Sequence, residues 1–94
     1  MTELQPQARF EPVAGLEINE VPDGYVIYER VGERVHFLNS TAGLLFELCD
    51  GAHSVADIQA IVATAFELGS DHPALASDGI ADLRREGLVR ECAP

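Results

Sequence analysis

The sequence predicts an α+β fold: a three-stranded antiparallel sheet followed by three helices. Three observations carry that expectation. Between residues 16 and 38, three consecutive short runs either alternate apolar and polar residues or concentrate β-branched and aromatic ones. Two turn signals, Pro22-Asp23-Gly24 and Val31-Gly32-Glu33, separate those runs and imply hairpin connections between neighbours. From Thr41 onward, apolar residues recur at helical spacing in three segments. A sheet first and helices after, each with an apolar face to bury, gives helices packed on one face of a sheet.

Residues 1–14 contain Gln5, Pro6, Gln7 and Pro12 and show no period, so they are expected as a flexible N-terminal arm with Phe10 and Val13 near the body. Leu16 to Glu20 alternates as a half-buried strand does, and Tyr25 to Glu29 is the most strand-like run in the chain. Arg34 to Leu38 is the third predicted strand. In a 1-2-3 meander it lies at an edge, with one row of backbone N–H and C=O groups unpaired. Asn39-Ser40-Thr41 then offers side-chain acceptors to the free N–H groups of a first helical turn. The first helix, about Thr41–Cys49, is short and very apolar, and Asp50-Gly51 ends it. A strand that enters a buried helix without a loop is a rigid junction.

Ser54 and Asp57 form a capping-box-like pair at the start of the second helix, where Val55, Ile58, Ile61, Val62, Ala65 and Phe66 share a face and Gly69 suits the cap. Ser70-Asp71-His72-Pro73 opens the third helix, which runs to about Glu86 and buries Ala76, Ile80 and Leu83, with Leu75 and Gly79 at the stripe's edge. Gly79 weakens that helix by about 1 kcal/mol relative to Ala. Gly87 caps it, and Leu88-Val89 is expected to fold back onto the core. The domain is expected over residues 15–90, with a tail at 91–94.

Ninety-four residues suffice for one domain with its own core. No apolar run approaches the ~20 residues that span a bilayer, and the polar N-terminus lacks a signal peptide's basic and apolar regions, so a soluble cytoplasmic protein with no membrane partner is the expectation. The formal charge is −10, sixteen acids against six bases, and all six bases are Arg. Such a chain repels a phosphate backbone, because non-specific nucleic-acid affinity comes from cations that release counterions. Three helices beside a small sheet give a winged helix-turn-helix-like outline, but the segment that would enter a groove carries Asp78, Asp82 and Glu86 against Arg84 and Arg85. A DNA-binding regulator is therefore the least favoured reading.

No catalytic constellation is legible. His36, His53 and His72 stand at no metal-ligand spacing and are expected at the surface. Cys49 and Cys92 form no C-x-x-C, and Cys49 is expected as a buried apolar residue. Asp78 and Asp82, one turn apart, are expected as a solvated helix flank. Neither a metal nor a cofactor is implied. What remains is binding: a free edge strand accepts an extended peptide through main-chain hydrogen bonds. The alternative is a protein–protein adaptor using the apolar first-helix surface around Leu44 and Phe46.

Leu38-Asn39-x-Thr41-Ala42, Cys49-Asp50-Gly51, Ser54-Val55-x-Asp57-Ile58 and the closing Gly87-Leu88-Val89 resemble the PqqD family, precursor-recognition domains of ribosomally made, post-translationally modified peptide pathways. The likeness covers about Leu16 to Val89. It implies a non-catalytic peptide chaperone that binds the leader of a precursor peptide and presents it to a modifying enzyme, often a radical SAM protein. The leader would add as a strand along Arg34, Val35, His36, Phe37 and Leu38 and rest against the third helix. The flank of that helix beside the core stripe holds Leu75, Asp78, Asp82 and Glu86, and three carboxylates there lead to the expectation of a leader with basic character. Ser77, Asp78 and Gly79 depart from the bulky apolar residues common in the family before the closing Gly-Leu. Asn39, Thr41, Ala42, Asp50 and Gly51 read as structural. A monomer or weak dimer is expected.

Overall fold

A computed structural model of the protein describes residues 4–65 and 75–92. In chain order its elements are β1 (Phe10–Pro12), β2 (Leu16–Val21), β3 (Gly24–Glu29), β4 (Arg34–Asn39), α1 (Ser40–Leu48), α2 (Val55–Ala65), α3 (Leu75–Arg85) and β5 (Val89–Glu91). β2, β3 and β4 form an antiparallel meander in that spatial order, so the third predicted strand, β4, is an edge. The fold is the expected three-stranded sheet followed by three helices, with a small β1–β5 sheet added.

β4 passes into α1 with no residue between them. Asn39 stays extended, and its Oδ1 accepts from the Ala42 N–H at 2.9 Å, which satisfies one of the free donors of the first turn. Asp50 ends the following turn by accepting from the Ala52 N–H at 2.8 Å and the His53 N–H at 3.3 Å. The Ser54–Asp57 box forms in both directions: Asp57 N–H donates to Ser54 Oγ, and Ser54 N–H to Asp57 Oδ2, each at 3.1 Å. Gly24, at the β2–β3 turn, has φ +148°, and a Cβ there would run into the Leu38 carbonyl of β4.

The core joins Ile27 and Leu38 of the sheet to Leu45, Ile58, Val62, Ala76, Ile80 and Leu83 of the helices, with Leu88 and Val89 folded back onto it as expected. Two expected members of the α2 face, Ile61 and Ala65, are exposed. Ile61 sits about 60° further round the helix than Ile58, at the margin of the stripe, and Ala65 belongs to the last turn. Phe66, the cap at Gly69 and the start signal at Ser70–Pro73 lie outside the described residues.

Residues 6–13, within the stretch expected as an arm, run along the body. Phe10 is fully buried, Val13 N–H donates to the Leu88 carbonyl at 3.0 Å, and Ala56 N–H donates to the Pro6 carbonyl at 2.9 Å. β1 and β5 pair Phe10 with Glu91 and Pro12 with Val89. Neither strand was expected, because three residues carry no period and their pairing partners stand at opposite ends of the chain. Gly79 also has a reason the helix alone did not show. A Cβ at that position would collide with Leu45 Cδ1, so the missing side chain lets α3 close on α1.

Candidate functional site

The sheet's alternation sorts the β4 residues into two sets. Val35 and Phe37 project from the face away from the helices and remain 67% and 62% exposed. They stand directly across from Tyr28 and Val26 of β3, so the outer face carries a connected apolar strip. Arg34, His36 and Leu38 face the helical side, where Leu38 joins the core and His36 is buried. Because β4 is the last strand, its outer row of main-chain donors and acceptors has no strand partner in the sheet.

α3 lies alongside. Glu86, one residue beyond its end, reaches across: Arg34 Nη2 donates to Glu86 Oε2 at 3.0 Å, and the same oxygen lies 3.7 Å from His36 Nδ1. His36 Nε2 meets Glu29 Oε1 at 3.3 Å. The expectation that His36 is a surface residue is therefore corrected. Its ring is enclosed because Glu29, across the β3–β4 hairpin, and Glu86 give both nitrogens a polar partner. Glu29 was missed as a site residue. Its signal was present, since the hairpin register places Glu29 opposite Arg34.

Three of the expected groove residues, Arg34, His36 and Glu86, are thus brought together. Asp82 turns to its own helix and pairs with Arg85 at 2.8 Å. Asp78 is exposed in the first turn of α3, and Leu75 is half-buried against the core. Two of the three carboxylates assigned to an acidic flank therefore already hold an arginine, which weakens the argument for a basic leader. Phe46 is 4% exposed and Leu44 half-buried, so the first helix does not present the open apolar surface that the adaptor reading used.

The chemistry of the remaining titratable groups is quiet. Burial pushes the Cys49 thiol up to about 12, leaving it protonated and unreactive at neutral pH. The Asp50 carboxyl is held below its ordinary range by the Ala52 N–H and by His53, as a cap would be. Among the described residues no cluster of three or more His, Cys, Asp or Glu side chains is placed to hold a metal ion, and no helix is long and apolar enough to cross a membrane.

Comparison with known proteins bears on the family and the fold. The family model described as Coenzyme PQQ synthesis protein D (PqqD) matches residues 24–89, most of the chain. A solved structure described as lasso peptide synthetase B1 complexed with the leader peptide superposes with a TM-score of 0.70, at 22% identity, over 88% of this chain and 99% of that one. At that identity the likeness is one of fold. Among curated protein sequences none matches.

Proposed function

The chain belongs to the PqqD family, and from that premise we propose that it is a non-catalytic peptide chaperone for a ribosomally made, post-translationally modified precursor. It binds the precursor's leader as an added strand on β4, beside α3, and presents it to a modifying enzyme, a radical SAM protein being the class that the family resemblance favours. The observation that carries this reading is the free edge of β4 with α3 beside it. An extended peptide there gains main-chain hydrogen bonds from the unpaired row. Its alternate side chains fall on two different surfaces. One set lies by Val35 and Phe37, where apolar cross-strand neighbours contribute roughly 0.2–1 kcal/mol each. The other set points toward Arg34, His36 and Glu86. The fold likeness to lasso peptide synthetase B1 complexed with the leader peptide supports the same reading.

The test uses isotope-labelled protein and synthetic peptides for the leaders of short reading frames that neighbour its gene. Amide shifts are expected from Arg34 through Leu38 and along α3, and Phe37→Glu is expected to weaken binding. Saturating shifts confined to α2 would sink the β4 mode.

A further inference from the structure

The sheet has a second edge. β2 lies opposite β4 and carries its own row of backbone groups without a strand partner in the sheet. Ile18 of β2 pairs in register with Ile27 of β3, so both project from the helix-facing side. Their surroundings differ: Ile27 is fully buried, whereas Ile18 is 46% exposed. The helical layer therefore stops short of β2. Between β2 and the C-terminal end of α1 it leaves a concavity of about 400 Å³, where Ile18 and Pro12 offer exposed apolar surface above the buried Phe46 and Cys49. Its rim carries two acids, Glu47 and Asp50, and no arginine lines it among the described residues. Tyr25, also at the rim, donates its hydroxyl to Glu47 Oε2 at 3.1 Å.

We propose that this β2–α1 groove is a second docking site, and that its occupant is a segment of a partner protein with one large apolar side chain flanked by Arg or Lys. The floor offers apolar surface of a size that accepts one such side chain. The Glu47 carboxylate stands where one flanking cation would lie, with Asp50 beside it although its Oδ1 already meets Ala52 and His53. The charge of the whole chain, −10, adds to the attraction. The unpaired row of β2 supplies main-chain hydrogen bonds to an extended segment. Because β2 and β4 are opposite edges of one sheet, this groove and a peptide on β4 do not compete for the same strand. The proposal stands whether or not β4 takes a leader.

The experiment titrates the isotope-labelled full chain, at about 150 mM NaCl so that exposed long-range attraction is largely screened, with three short synthetic peptides. One has a single Phe at its centre with arginine flanks, one has the same centre with glutamate flanks, and one has Ser in place of the Phe with arginine flanks. The first is expected to shift the amides of Ile18, Tyr25, Glu47, Cys49 and Asp50 and to leave Val35 to Leu38 in place. Ile18→Glu and Glu47→Gln are each expected to weaken it about tenfold or more, equivalent to about 1.4 kcal/mol, with the amide spectrum confirming that each variant folds. Equal binding of the glutamate-flanked or serine-centred peptide overturns the proposal, as do shifts confined to β4. Sedimentation equilibrium is expected to show a monomer. A dimer that Ile18→Glu dissolves would mean that a second copy occupies the groove, and would also overturn it.

Discussion

Gly79 shows how a single position is decided by its neighbours. Alanine there gains about 1 kcal/mol of helix propensity, yet its methyl group enters the space held by Leu45 Cδ1, and overpacking of this kind costs about 1–3 kcal/mol. Gly79→Ala is therefore expected to lower stability in denaturant melts. In a Leu45→Ala background, where the obstruction is gone, the same substitution is expected to raise it. A Gly79→Ala effect unchanged by Leu45→Ala would disprove the steric account. His36 teaches the same lesson. Periodicity placed it on a strand, but its burial depends on Glu29 and Glu86, and only the fold brings Glu86 within 3.7 Å of the ring. Asn39 is the opposite case. Its capping role needs only the next three residues, so the sequence showed it directly.

At the scale of elements, the local starts and stops were legible because capping is local chemistry. The N-terminus of α2 gives a pH test. Asp57's carboxyl is held below its ordinary value of 3.8, first by the Ser54 N–H and then by the Ser54 hydroxyl interaction. A carboxyl with a depressed folded-state pKa stabilises the fold fully above its unfolded value, and loses that contribution as pH falls through the folded one. Asp57→Ala is thus expected to melt below the unsubstituted protein at pH 7, with the gap shrinking as pH drops below about 4. A gap that stays constant down to about pH 2 would mean that the ionised carboxylate is not the stabilising form. The strands β1 and β5 were not legible. Each owes its existence to the other, through pairs such as Phe10 with Glu91, and to the burial of Phe10 beneath the body.

The whole molecule carries sixteen acids against six arginines, and several of those arginines are committed: Arg34 to Glu86, Arg85 to Asp82 and Arg90 to Glu11. The surplus negative charge repels itself across a small body, and salt screens that repulsion. Raising NaCl from about 0.05 to about 0.5 M is expected to raise Tm by a few degrees, roughly 2–5 °C. An unchanged or falling Tm would show that the exposed ion pairs outweigh the repulsion. The sequence by itself determined the α+β order, the β2-β3-β4 meander, the cap at Asn39, the Ser54–Asp57 box and the α3 core stripe. Each of these follows from residues within a few positions of one another, where period and capping act. Only the tertiary structure decided that Glu86 reaches Arg34 and His36, that Gly79 makes room for Leu45, and that the helices leave Ile18 of β2 uncovered. Those outcomes depend on how closely one layer approaches another, and a one-dimensional pattern of apolar residues records which faces are buried but not the distance at which they meet.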